Sequence, residues 1–191
     1  ALSALCSGAS EVTTAGGWIG ADGTMITNTA SLAVPGDSAP ENDVTETPLT
    51  VLPGPAAAMA LTAVPDTVAI PGPATLAVTV TDLYGNPVAN TDGYTVALSA
   101  SQPVLGFAPD EIGIVDGAGT AAVSSTIAGS YVVTAQLTAN AAVSATTAVT
   151  FVAGMVDHFV IAPIGTQTAG VDFSLVVTAV DEFGNVALGF N

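Results

Sequence analysis

Between residues 54 and 152, apolar and polar side chains alternate in segment after segment. Leu76, Val78 and Val80 share one parity, and Thr75, Thr79 and Thr81 the other. Tyr94, Val96, Leu98 and Ala100 interleave with Thr95, Ala97 and Ser99. Tyr131, Val133, Ala135 and Leu137 interleave with Val132, Thr134, Gln136 and Thr138. Val143, Ala145, Thr147, Val149 and Phe151 interleave with Ser144, Thr146 and Thr150. Successive side chains of a strand point to opposite faces, so this is how half-buried antiparallel strands read. The pattern predicts seven strands, at about 58–64, 74–81, 94–100, 112–115, 119–127, 130–138 and 142–152. No stretch reads as a long amphipathic helix. The Ala-rich runs at 56–60 and 139–142 are short and flanked by Gly, Pro or Asn, which argues against helix there.

The pattern repeats along the chain. Val78-Thr79-Val80-Thr81-Asp82-Leu83-Tyr84-Gly85-Asn86 returns as Val177-Thr178-Ala179-Val180-Asp181-Glu182-Phe183-Gly184-Asn185, a spacing of 99 residues. Leu76 falls on Leu175 at the same offset. Ala1 to Ala4 is identical to Ala97 to Ala100, Ile26 to Ala30 resembles Val123 to Ala128, and Thr47 to Pro53 resembles Thr147 to Val152. A fixed period with matching chemistry is an internal repeat. The expected division is a partial repeat of later strands at 1–53, a complete repeat at 54–152, and the first strands of a third at 153–191. The chain is thus expected to open and close inside repeats. Within 1–53, strands are expected at Thr24 to Ala30 and Ser31 to Val34, and a solvated loop over the acid-rich Gly36 to Thr47. Within 153–191, a strand opens at Phe159 and Ile161, Gly165 and Gly170 bracket a turn, and Phe173 to Val180 forms the next strand. Seven short strands in about 100 residues match the size of an immunoglobulin-like sandwich. The fold class expected is therefore all-β, as immunoglobulin-like β-sandwich repeats.

Composition sharpens this. Half the residues are hydrophobic but few are aromatic, which suits a thin core of Ala and Val. Pro53, Pro55, Pro65, Pro71 and Pro73 break the most apolar region, so no run reaches the roughly 18 residues of a membrane helix. There is no Lys or Arg, and 16 acidic residues give a net charge of −16. Nucleic-acid binding rests on Lys and Arg at phosphates, so it is not expected. Neither is electrostatic binding to anionic lipid. Lack of Lys and Arg reads either as resistance to trypsin-like proteases or as compositional drift in an acidic surface protein. The single cysteine, Cys6, excludes a disulfide within the chain. It reads as a buried thiol or as a bridge between chains.

No catalytic constellation emerges. His158 is the one histidine, and its counterpart at the repeat offset is Met59. A position that takes Met or His reads as a packing or junction contact, so no enzyme activity, catalytic residue or cofactor is expected. One Cys and one His are too few for a zinc site. Asp110-Glu111 with Asp116, and Asp181-Glu182, carry the oxygen ligands calcium takes. Their spacing is not that of an EF-hand, and solvated acids and turn caps are the simpler reading, so no metal site is assigned. The residues singled out are those of the repeated turn: Asp82, Gly85 and Asn86, then Asp181, Gly184 and Asn185. Gly85 and Gly184 can take positive φ, and the Asp and Asn side chains can accept backbone N–H bonds in the turn. Tyr84 and Phe183 are expected to cap the end of the core.

These residues carry a family likeness. Residues 156 to 191, VDHFVIAPIGTQTAGVDFSLVVTAVDEFGNVALGFN, resemble the bacterial immunoglobulin-like repeats found in arrays on large surface proteins and adhesins. Val80 to Val88 resembles the invasin and intimin type of repeat. The likeness implies an extracellular or cell-surface tandem module acting as stalk, filament, surface layer or adhesive surface. The expected partners are other copies of the chain, neighbouring repeats, or a cell-surface ligand. A half-sandwich exposes apolar faces and unpaired edges, which motivates a specific expectation: 153–191 of one chain completed by 1–53 of the next, polymerising head to tail. The alternative is an adhesin-type module binding a cell-surface or matrix ligand through its loops, with Trp18, set between glycines, as the candidate contact, although Trp18 reads equally as a plug in the core of the partial repeat.

Overall fold

The computed structural model describes residues 25–31, 44–50, 52–89 and 92–188. The expectations placed on Cys6, on Trp18 and on 32–43 lie outside the described residues. Among the described residues there is no α-helix.

Strand β1 (Met25–Ser31) pairs antiparallel with β2 (Val44–Thr50), Met25 lying opposite Thr50 and Ser31 opposite Val44. The loop expected over Gly36 to Thr47 is therefore corrected at its end, because residues 44–47 are in a strand. Val44, Thr45 and Thr47 are β-branched, and pairing with β1 outweighs the acids and prolines that argued against a strand.

Residues 58 to 152 form two facing sheets. The first has the order β3 (Ala58–Val64), β5 (Ala74–Thr81), β9 (Ala118–Ser125), β7 (Leu105–Ala108). The second has the order β4 (Thr67–Ala69), β11 (Ser144–Val152), β10 (Gly129–Leu137), β6 (Thr95–Ala100), β8 (Glu111–Gly113). All pairs are antiparallel except β4 with β11. The predicted alternation places the core. Leu76, Val78, Val80 and Val123 point inward from one sheet, and Val96, Val133, Ala135, Leu137, Val149 and Phe151 from the other. Phe151 and Tyr131 meet at a ring-centroid distance of 6.3 Å, supplying the bulk that Ala and Val lack.

Two strands beyond the expected seven appear, β4 and β7. Each is short and broken by turn formers: β4 lies between Pro65 and Pro71, and β7 contains Gly106 and ends before Pro109. Neither is long enough for a period of two to stand out. Each lies at the edge of its sheet.

The last elements are β12 (His158–Ile161) and β13 (Val177–Val180), paired antiparallel. The strand expected over Phe173 to Val180 is shorter than predicted. Its counterpart β5 is bonded on one side by β3 and on the other by β9. Among the described residues, β12 is the one strand that pairs with β13, whose end is also bonded by Val186 and Ala187 just after the turn, so residues 173–176 have no second ladder to hold them extended.

Candidate functional site

The repeated turn begins where β5 ends. Asp82 is 3% exposed at the end of a strand whose inward face is wholly apolar, and its carboxylate is filled with donors. Oδ1 accepts from the N–H groups of Tyr84 (2.8 Å) and Asn86 (2.9 Å). Oδ2 accepts from the Asn86 side-chain amide (2.9 Å) and from Gly54 N–H (2.9 Å), 28 residues earlier in the chain. The backbone closes over the same residues. Gly85 N–H donates to Asp82 O, and Asp82 N–H donates to Asn86 O. Gly85 adopts φ +86°, which costs a residue with a Cβ but not glycine. The short Asp side chain reaches N–H groups two and four residues on, as an Asx turn does.

The second copy reproduces this set. Asp181, 1% exposed, accepts from Phe183 N–H (3.0 Å) and Asn185 N–H (2.8 Å) on Oδ1. On Oδ2 it accepts from the Asn185 amide (2.9 Å) and from Gly154 N–H (3.0 Å). Gly184 has φ +83°. The bridge Thr81–Pro87 across the first turn matches Val180–Val186 across the second. All six residues singled out from the sequence thus fall in two equivalent turns. Sequence reasoning missed Gly54 and Gly154, the partners upstream. Their signal was present as a Gly at the same place before each first strand, but only the fold brings it to the carboxylate. Each clasp ties the segment before a strand pair to the turn that follows the pair. Gly154 is also pressed against the sandwich, since a Cβ there would lie 2.5 Å from Ile70 O.

Burial alone would raise both carboxyls. Hydrogen bonds from the Asn side chain, then from the Gly N–H and the turn N–H groups, outweigh it and lower each pKa from 3.8 to about 2. These carboxylates stay ionised and structural. Their lone pairs are occupied by N–H donors, so a cation at Asp181-Glu182 would have to displace the clasp. Among the described residues, no three or more His, Cys, Asp or Glu side chains gather as a metal site. Asp110, Glu111 and Asp116 lie on and beside β8 without converging.

The pairing register revises one equivalence. Gly54 to Gly154 is 100 residues, whereas Asp82 to Asp181 is 99, so one residue is lost between the first and second strands of the later copy. Ala58 pairs with Thr81 and His158 with Val180, which makes Ala58, not Met59, the counterpart of His158. Phe159 stands where Met59 does. His158 Nδ1 lies 2.9 Å from Asp157 Oδ2 on the surface. Tyr84 and Phe183 do not cap the core as expected, because about half of each is exposed. The Asx turn carries its third residue outward, and Phe183 instead lines a groove with Ile70, Pro71 and Met155.

Asn185 does one thing more. Its Oδ1 accepts from Ala128 N–H (2.8 Å), and its Nδ2 donates to Thr126 O (2.9 Å), both in the loop between β9 and β10. That loop is held from inside. Ser125 Oγ donates to Ile127 O and accepts from Ile127 N–H, and Tyr131 Oη donates to Ile127 O at 3.0 Å. A tyrosine near the start of a strand, bonded back to the preceding corner, is a feature of immunoglobulin sandwiches.

Neither a protein-family model nor a curated protein sequence matches the chain. Solved structures do. Invasin, described as a bacterial integrin-binding protein, matches at 24% identity and a TM-score of 0.56, over 78% of this chain and 31% of its own. The fold shared with these structures is the immunoglobulin-like β-sandwich. FdeC, an Escherichia coli adhesin, matches at 18% identity and a TM-score of 0.51, over 75% of this chain and 48% of its own. InvD of Yersinia pseudotuberculosis matches at 16% identity and 0.51, over 86% and 61% respectively. This chain spans less than two thirds of each. The strand orders β3-β5-β9-β7 and β11-β10-β6 correspond to the ABED and GFC sheets of that architecture, with β4 as a second half of the first strand.

Proposed function

We propose that this chain is a structural, non-enzymatic segment of an extracellular stalk, filament or surface array, built from immunoglobulin-like repeats in tandem. The repeats divide near residues 53 and 153. The observation that carries this reading is the duplicated clasp, in which Gly54 is held by Asp82 and Gly154 by Asp181. A module that fastens its own entrance to its own turn is suited to being strung in series.

In its sharper form, the chain polymerises head to tail. The face of β12–β13 that corresponds to a sandwich interior carries Phe159, Ile161 and Val177, all about half exposed, with Leu175, equally exposed, just before β13. Strands from segment 1–53 of a second copy would cover it by strand addition. Such a contact is heterologous and builds an open filament unless it closes into a ring. Light scattering on the 191-residue chain over a dilution series tests this. Polymers that shorten when 1–53 or 153–191 is deleted support it. A stable monomer at all concentrations removes the head-to-tail form and leaves the stalk segment.

The second reading is an adhesin-type module. It draws on the likeness to invasin and FdeC, which are named as integrin-binding and as an adhesin. Saturable binding of the chain to cells or matrix, lost on loop substitution, would favour it over a purely structural role.

A further inference from the structure

We propose that Asn185 sets the orientation between the sandwich and the repeat that follows it, by reading the backbone of the loop Thr126 to Ala128. The two side chains of the turn divide the work. Asp181 acts within its own repeat, closing the turn and holding Gly154 of the entering segment. Asn185 acts outward, as the amide that joins this turn to the β9–β10 corner.

The geometry allows only one orientation of that amide. Oδ1 meets an N–H, while Nδ2 meets a carbonyl and the Asp181 carboxylate, so exchanging the two atoms would set oxygen against oxygen on one side and N–H against N–H on the other. Asp181 therefore orients Asn185 as well as the backbone. The receiving loop is equally fixed, since Ser125 and Tyr131 hold Ile127 between the two atoms that Asn185 contacts. Recognition uses only main-chain atoms of Thr126 and Ala128. The receiver thus requires a shaped corner and not a particular exposed side chain, and the partner it fits is the Asp-x-Phe-Gly-Asn turn of the next repeat. A second contact supports the same docking, as Gly154 lies where any Cβ would strike Ile70 O.

This inference rests on reading 153–188 as the start of a further repeat in tandem. Its test is intramolecular, so it can fail while the stalk reading stands, and scattering data can remove the filament while this contact stands. In the 191-residue chain, Asn185→Ala is compared with wild type by amide hydrogen exchange and by residual dipolar couplings. The expected result is exchange at Ala128 faster by roughly tenfold, the scale of one or two lost hydrogen bonds. Gly154 is expected to keep its protection, and the alignment of β12–β13 relative to the sandwich to become averaged. Val133 in the core reports that the sandwich remains folded. Asn185→Asp keeps the size and one acceptor but loses the Nδ2 donor, and is expected to loosen Ala128 as well. Unchanged Ala128 exchange in both variants, or an unchanged relative alignment, would overturn the proposal.

Discussion

In the pair β3–β5, Leu76 and Val78 are sealed, at 0% and 1% exposed, whereas their counterparts Leu175, just before β13, and Val177, its first residue, are 52% and 51% exposed. Yet the turn after each pair closes in the same way. Asp82 and Asp181 collect the same donors, Gly85 and Gly184 take the same positive φ, and both entering glycines are held. The comparison separates two kinds of stability. The turn is mostly local, as all its partners but one lie within about four residues and that one, the glycine, precedes the adjoining strand, and it forms whether or not the face beside it is covered. Burial is non-local, because β5 is sealed by strands that arrive up to 70 residues later, such as β10 and β11. The later pair has the sequence for an inward face, but that face stays about half exposed.

The largest predicted effect uses this difference directly. Leu76→Ala removes a fully buried side chain and is expected to cost about 2–5 kcal/mol in denaturant unfolding. Leu175→Ala, the same change at the same position of the later copy, is expected to stay within about 0.5 kcal/mol. If the two cost the same, the β12–β13 face is covered in solution, and the covering strands come from elsewhere. Repeating the pair at high and low concentration then tells a second copy from a contact within the chain.

Next in size is the turn. Asp82→Ala leaves Gly54, Tyr84 and Asn86 N–H groups without their acceptor and is expected to lower the melting temperature of the sandwich. The drop is expected to be smaller than that of Leu76→Ala, since water can reach the donors once the side chain is gone. Asp181→Ala is expected to leave that transition in place and to speed exchange at Gly154 instead. An equal fall in melting temperature from both would show that the two copies unfold as one unit.

How much of this was legible beforehand follows the same divide between local and non-local. Period-two alternation gave β5 to the residue, because Leu76, Val78 and Val80 face a core that covers the whole strand. The same alternation overextended β13, since Leu175 and Val177 carry the pattern without the second ladder. Short edges escaped it, as β4 and β7 offer three or four residues broken by Pro and Gly. At the turn, the Asp, Gly and Asn were found by their repetition. Their upstream partners Gly54 and Gly154, and the role of Asn185 toward Thr126 and Ala128, depend on contacts across 27 to 59 residues that no spacing rule reports. The misplaced counterpart of His158 has a simpler origin. A single period of 99 was carried across a one-residue deletion, which only the strand register exposes.

A pH titration probes the first clasp more gently than deletion does. The folded pKa of Asp82 is lowered to about 2 from 3.8, so its contribution to stability is fully present above about pH 4. It is lost as pH falls through the folded value, over the window from 3.8 to about 2. Acid also neutralises a chain of net charge −16, which relieves self-repulsion and works in the opposite direction. Wild-type stability alone therefore mixes the two. The difference between wild type and Asp82→Ala isolates the clasp, and it is expected to shrink steadily from pH 4 to pH 2. A difference that holds constant through that range would mean that the carboxylate is not what the N–H groups require.

The smallest change falls on the receiving side. Tyr131→Phe keeps the ring against Phe151 and removes only the hydroxyl bond to Ile127 O. Its expected cost is about 0.5–1.5 kcal/mol of sandwich stability, the net worth of one hydrogen bond. The informative readout is where the loosening appears. The corner reaches Asn185 through Thr126 and Ala128, so exchange at Ala128 is expected to rise in the 191-residue chain while the Asp181-held amides of Gly154, Phe183 and Asn185 keep their protection. In a chain ending at residue 152, Asn185 is absent and Ala128 is already unprotected from that side. The same substitution there is expected to change stability by a similar amount but to leave Ala128 exchange where it was. A rise at Ala128 of equal size in both chains would mean that the corner holds this amide by itself, and that the turn after β13 adds nothing to it.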